Sequence, residues 1–298
     1  MSEQTTAAGL IAGKQSIPVQ WPFPTSFYDA LMRVRPAQLI SLIKICLMIR
    51  RRACEFDING RTLFWVDPVS VFGQHLIRTG YHELSLTALI QHVLRSGSVF
   101  VDVGASEGYF SVLAAQKQAE VYAFEPQGRM RPILEKNFEL NHLTGRIHLY
   151  RLALSAHVGN AYIHLRPMTN PGASSFFKRA RIDFRTERVP TRPLDDVLEE
   201  AGLKNIQLVK IDCEGAEHDV IQGADRTLRS HAVRFLSVDY HTSIGSEAVS
   251  RCDDTHRFIC ARGYVLTKID DLCIYHQPGI EHELASLGEV RTGVWWSD

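Results

Sequence analysis

Apolar runs and amphipathic stretches alternate along most of this chain, and the alternation predicts its elements. Val99–Val103 is apolar except for Asp102 and ends in Gly104. Gly108 opens a helical pattern, and a second apolar run, Val121–Phe124, ends in the acid Glu125. Strand, glycine turn, helix and strand form one β-α-β unit. Apolar runs at 147–154, 206–211 and 233–238 follow, interleaved with helical patterns at 128–141, 194–201, 216–229 and 247–261. Tyr264–Ile269 and Leu272–Tyr275 flank Asp270-Asp271 and predict a closing antiparallel hairpin. The whole pattern predicts an α/β fold, a Rossmann-like doubly wound sheet with helices on both faces.

Other stretches depart from that rhythm. Gly159-Asn160 with Tyr162–Leu165 predicts an antiparallel excursion, and 166–192 reads as a long irregular loop with short strands. Ahead of the sheet, Tyr81–Leu94 reads as a helix and Pro68–Thr79 as a loop or short helix. Glu55–Val66 alternates around Asn59-Gly60, which predicts a small β-ribbon joined to the main sheet. Helices are expected near Thr25–Arg33 and Pro36–Arg52, preceded by an extended arm. The expected division is residues 1–80 as an arm, helices and hairpin, and residues 81–298 as the main domain.

Charge adds local detail. Lys plus Arg and Asp plus Glu each number 33, so the formal charge is zero, which argues against a dedicated nucleic-acid binder. Residues 1–54 hold seven Lys or Arg against two acids, and so do residues 166–192. If the second of these segments touches a substrate, an anionic or glycosylated acceptor is favoured. Leu39–Ile49 is apolar but too short to span a bilayer and contains Lys44, so no transmembrane segment is expected. The six cysteines form no CxxC pair, and the first residues lack the order of a secretory signal, so reduced thiols and a cytoplasmic location are expected.

In doubly wound sheets ligands bind beyond the carboxyl ends of the strands. Those ends carry Asp102 to Gly108, Glu125-Pro126, Ser155, Asp212 to Glu214, and Asp239-Tyr240-His241. Gly104 permits a tight turn, and Gly108 permits close approach of helix and ligand. Glu107 sits in the turn and would repel a pyrophosphate, and the turn is not a full GxGxxG. A ligand with a positive centre, such as the sulfonium of S-adenosylmethionine, tolerates these acids. Glu125 is placed to accept both hydroxyls of an adenosine ribose, or it is simply an acid ahead of a helix. Asp102 contacts the ligand or fixes the turn. Glu214 and Glu217 bind substrate or cap a helix. His241 is the first candidate for a general base and Asp212 the second. Asp212, Asp239 and His241 also form an oxygen-rich set open to a cation. No HExxH or His/Cys ligand spacing accompanies it, so catalysis without a metal is expected.

The runs FVDVGASEGYFS, VYAFEP, RLALS, Val189–Asp195 and VKIDCEGAEHDVIQGA together resemble the FkbM family of S-adenosylmethionine-dependent methyltransferases, from about Tyr81 to His241. The resemblance implies a class I methyltransferase fold and O-methylation of a hydroxyl on a small molecule, a natural product or a sugar. It implies that Asp102, Gly104, Ala105, Ser106 and Gly108 cradle the methionyl end. Glu125 and Pro126 would hold the ribose, Ser155 would lie near the adenine, and Glu83 would close over the cofactor. Asp212 would face the cofactor and the acceptor, while Glu214, Asp239, Tyr240 and His241 would meet the acceptor. Members commonly carry Asn and an apolar residue where Ser106-Glu107 stand here, and Glu-x-His where Asp239-Tyr240-His241 stands. The competing expectations are an NAD-type oxidoreductase and a non-catalytic interaction module of the same fold. Residues 1–80 either cap the site or pair subunits into a homodimer.

Overall fold

A computed structural model describes residues 54–58, 62–166, 170–175, 185–241, 246–288 and 290–292. The arm and the two helices expected before residue 54 lie outside the described residues, as do Asn59-Gly60, residues 167–169 and 176–184 of the basic segment, and Trp295 with Trp296.

The opening unit is a strand β3 (Val99–Val103), a helix α3 (Tyr109–Gln116) and a strand β4 (Glu120–Phe124). Before it come the ribbon strands β1 (Cys54–Asp57) and β2 (Leu63–Val66), then helices α1 (Val71–Thr79) and α2 (Leu84–Val93). After it come α4 (Arg131–Leu140) and strands β5 (Ile147–Tyr150), β6 (Ala153–Leu154), β7 (Gly159–His164) and β8 (Thr186–Arg192). The chain continues with α5 (Leu194–Glu200), β9 (Ile206–Ile211), α6 (Glu217–Gln222), α7 (Asp225–Arg229) and β10 (Val233–Val238). It closes with α8 (Ser246–Cys260), β11 (Val265–Ile269), β12 (Leu272–His276) and β13 (Val290–Thr292).

The main sheet runs β13-β11-β12-β10-β9-β3-β4-β5. β5, β4, β3, β9 and β10 are parallel, and β12, β11 and β13 add an antiparallel end. Alternate residues serve opposite faces. Phe100, Leu208 and Phe235 pack with Leu89 and Leu113 on one side. Val101, Val209 and Leu236 pack with Leu194, Val220 and Ile259 on the other. Each fully buried side chain of this size contributes about 1.5–3 kcal/mol, so both faces are committed to helices. The chain runs outward from β3 to β5 and then crosses back to β9, so the order reverses between β3 and β9. That reversal is the crevice where such sheets bind ligands.

Four differences from the sequence reading have physical causes. The run 147–154 is two strands, because the chain leaves the main sheet after Tyr150 and Ala153–Leu154 pairs with β8 in a separate sheet ordered β6-β8-β7. The segment read as irregular therefore contains a seven-residue strand, β8, paired along its length with β7. The pattern at 216–229 is two short helices, with the break at Gly223, where a Cβ would overlap the Ser155 carbonyl oxygen. The ribbon forms its own two-stranded sheet instead of joining the main one. It is tied to α4 by side chains that imitate a strand: Asn137 Oδ1 accepts from Trp65 N at 2.6 Å and Asn141 Oδ1 from Leu63 N at 2.9 Å. Asn141 Nδ2 donates to Leu63 O at 2.7 Å.

Candidate active site

The turn after β3 is built on the neighbouring strands. Gly104 N and Ala105 N both donate to Phe124 O at 3.0 Å, and Asp212 N donates to Val103 O at 3.1 Å. Gly104 has φ +80°, and a Cβ there would overlap the Asp212 carbonyl oxygen. Only glycine satisfies both the left-handed backbone and the crossing of the two strand ends. Gly108, at φ +83°, has another reason: a Cβ there would press on Phe138 Cε1 at 2.9 Å. Its missing side chain makes room for α4, not for a ligand, and it does not line the cavity.

Glu125 is buried at the end of β4. Its Oε2 accepts from Ser106 N at 3.0 Å and its Oε1 from Gln127 N at 2.8 Å. Burial pushes its carboxyl up to about 7, against the pull of those two N–H groups. Each oxygen keeps a free lone pair, so the carboxylate is fixed in orientation and open to a diol. Glu107 is also buried, accepts from the Ser106 hydroxyl, and is raised mainly by burial.

Asp102 is fully buried and does not line the cavity. Its Oδ2 accepts from Ser111 Oγ at 2.7 Å, and its Oδ1 lies 3.3 Å from Lys210 Nζ. Both of its oxygens therefore face groups of the protein and not the cavity. Ser155 is likewise away from the cavity, its N–H donating to Arg192 O at 3.0 Å. Tyr240 turns away too: its hydroxyl bonds the Tyr275 hydroxyl at 2.8 Å.

The other predicted residues converge. Gly104, Ala105, Ser106, Glu125 and Pro126 line a cavity of about 570 Å³ together with Glu83, Asp212, Glu214, Asp239 and His241. His241 lies among acids. Its Nδ1 bonds Glu217 Oε1 at 2.9 Å, and its Nε2 is 3.6 Å from Asp212, 3.7 Å from Glu214 and 3.8 Å from Asp239. Burial alone would lower it, but the Glu217 bond and the carboxylates of Asp212, Glu217 and Asp239 outweigh burial and push it up to about 9. At neutral pH it is an imidazolium, not the neutral base the sequence suggested. Burial raises Asp212, opposed by Lys210, and pushes Asp239 up to about 6. Glu217 also accepts from Gly215 N at 2.9 Å and Cys213 N at 3.3 Å, which fastens the loop ahead of its helix. Asp212, Asp239 and His241 each offer one ligand atom within 4.8 Å of the others, a set able to hold a cation once His241 loses its proton.

Glu83 precedes α2 in a left-handed conformation, φ 44°, and pairs with His82 at 3.1 Å. Burial would raise its carboxyl, but the His82 bond and the charges of His82, Lys210 and His241 bring it below its ordinary value.

Several wall residues escaped the sequence reading. Phe72, His75, Tyr81, His82, Tyr109 and Phe110 form an aromatic side. The sequence reading gave them no role, since they are scattered over three segments that only the fold brings together. Asn170–Ser174 closes the opposite side, held by Gln127 Nε2 to Pro171 O at 3.4 Å and Arg129 Nη2 to Ser174 Oγ at 2.9 Å. The signal there was the long loop itself, since such insertions carry binding groups. Lys210 is the third omission.

A model of the FkbM methyltransferase domain matches residues 102–266. The chain is 30% identical over 162 residues to methyltransferase sdnD of Sordaria araneosa, covering 44% of this chain and 62% of that protein. It is 29% identical over 160 residues to 2-O-methyltransferase NoeI of Sinorhizobium fredii, covering 48% and 63%. Hexuronic acid methyltransferase AglP of Haloferax volcanii is 24% identical over 169 residues, covering 57% and 66%. The chain thus spans less than two thirds of the length of these relatives. Among solved structures, precorrin-6y C5,15-methyltransferase of Geobacter metallireducens superposes with a TM-score of 0.39 at 12% identity, covering 66% of this chain and 90% of that one. Among the described residues no helix is long and apolar enough to cross a membrane.

Proposed function

The chain belongs to the FkbM methyltransferase family, and from that premise we propose that it is an S-adenosylmethionine-dependent O-methyltransferase acting on a hydroxyl of a small molecule, natural product or sugar. The observation that carries the reading is Glu125, locked by two backbone N–H groups in a cavity that Asp212, Asp239 and His241 also line. That lining suits an adenosyl group at Glu125 and an acceptor at the Asp212 cluster. Two relatives point the same way by name, one a 2-O-methyltransferase and one a hexuronic acid methyltransferase.

The residues fit the cofactor on their chemistry. Glu125 offers two oriented acceptors to a ribose diol, with Pro126 beside it. Ala105 and Ser106 border the methionyl end, and the acids Glu83 and Asp212 suit its ammonium. Bound S-adenosylmethionine supplies an electrophilic methyl and a neutral thioether leaving group. The protein positions the acceptor oxygen and receives its proton. Because His241 is already protonated, Asp212 takes precedence as the proton acceptor, and His241 holds that carboxylate in place at 3.6 Å. Glu214 and Asp239 orient the acceptor by hydrogen bonds.

Calorimetric titration with S-adenosylmethionine and with NAD tests the reading. Micromolar binding of the first and none of the second is expected. NAD binding with no S-adenosylmethionine binding would return the oxidoreductase reading. Cofactor binding without methylation of any hydroxyl acceptor would favour the non-catalytic module.

A further inference from the structure

Lys210 has no assigned role, yet it is a buried cation that lines the cavity beside Gly104 and Asp212. It lies on β9, two residues before Asp212, is 2% exposed, and reaches across the point where the sheet order reverses. Its Nζ donates to Gly104 O at 2.8 Å and to Val103 O at 3.4 Å. Asp102 Oδ1 lies at 3.3 Å, Asp212 Oδ2 at 3.5 Å, and the Phe110 ring centroid at 5.6 Å. An ammonium has three donors and no acceptor, so four oxygens gather around one fixed point and share those donors.

We propose that Lys210 is a positioning residue for the cofactor, and that Asp102 acts on the cofactor through it and not by contact. The inference rests on the S-adenosylmethionine reading above. The carbonyls held by Nζ belong to the turn whose next residues, Ala105 and Ser106, border the cavity. With those carbonyls pinned beneath the turn, the Ser106 N–H stays directed at Glu125. Asp102 is tied to Ser111 on one oxygen and faces Lys210 with the other, so it sets where the ammonium sits. A free ammonium beside a sulfonium site would repel the ligand, and the two aspartates cancel that charge. A cation placed only to neutralise Asp102 would need no bond to the turn.

The test is calorimetry with S-adenosylhomocysteine, with stoichiometry and melting temperature read alongside. Lys210→Met, in which Asp102 is intact, is expected to bind about tenfold or more weakly at unchanged stoichiometry, since charge-assisted bonds to the turn are lost. Lys210→Arg is expected to recover most of that loss. A merely structural lysine would lower the melting temperature or the stoichiometry and leave the dissociation constant where it was. Where Lys210→Met does not melt cooperatively, Lys210→Met with Asp102→Asn removes both buried charges together and takes its place. A dissociation constant within about twofold of wild type, in whichever of these folds, overturns the proposal. A wild-type chain that binds no S-adenosylhomocysteine overturns the cofactor reading itself, a separate and recognisable failure.

Discussion

Glu125 concentrates the chemistry proposed for the cofactor in a single carboxylate. It sits where a strand-end acid was expected, but its environment could not be read from its neighbours in sequence. Burial pushes it up to about 7, so near neutrality it exists both with and without its proton. Only the ionised form presents acceptors on both oxygens to a ribose diol. S-adenosylhomocysteine affinity is therefore expected to tighten severalfold between about pH 6 and about pH 8. Glu125→Gln keeps the shape but turns one acceptor into a donor facing a backbone N–H. That variant is expected to bind at least about tenfold more weakly, with a flat pH dependence. Calorimetry at several pH values checks both parts, and an unchanged pH slope in the variant would remove Glu125 from the ribose contact. Asp102 is the contrasting case. As an acid at a glycine turn it was legible as a site residue, but whether it touched ligand or protein depended on Lys210, 108 positions away in the chain.

At the scale of elements, the sheet was legible wherever a strand is buried on both faces. β3, β4, β9 and β10 are predominantly apolar runs, and their read ends fall close to the observed ones. What failed were elements defined by a distant partner. β8 contains Pro190 and has Val189 as its one aliphatic side chain, so its sequence carries little mark of a strand until β7 is beside it. The attachment of the ribbon was equally invisible, because asparagines on α4 bond its backbone. Asn137 is fully buried and serves both sides, accepting from Trp65 N and donating to Glu107 O at 2.7 Å. Asn137→Ala would leave the Trp65 N–H and the Glu107 carbonyl unpaired, at about 1–3 kcal/mol each. Urea denaturation is expected to show a loss of about 2–4 kcal/mol. Because Glu107 lies in the cofactor turn, S-adenosylhomocysteine affinity is expected to weaken as well. Lost stability with unchanged affinity would mean that ribbon and turn are independent.

For the whole molecule, a formal charge of zero conceals a strongly uneven distribution. The cavity collects Glu83, Glu107, Glu125, Asp212, Glu214 and Asp239 against Lys210 and His241. The sequence favoured an anionic acceptor because of the basic segment after residue 166, whereas the described part of the cavity is acidic and suits neutral or cationic groups. That imbalance is also what holds the proton on His241, and it ties the stability of the fold to pH. The His241 ring is raised from 6.5 unfolded to about 9 folded. A raised basic group stabilises fully below its unfolded value, and its contribution disappears as pH rises through the folded value. Two and a half units correspond to about 3 kcal/mol, of which about 2 kcal/mol is lost between about pH 7 and about pH 9.5. Glu125 moves in the same direction over a lower window, from its ordinary range up to about 7, so its change is nearly complete before that interval begins. Buried thiols such as Cys273, pushed up to about 12, also favour the native state less as pH rises, but they are common to wild type and variant. Urea denaturation of wild type and His241→Gln at the two pH values isolates the imidazole: wild type is expected to lose about 2 kcal/mol more than the variant. Equal losses would mean that the four carboxylates do not hold the proton, and His241 would then return as the neutral base.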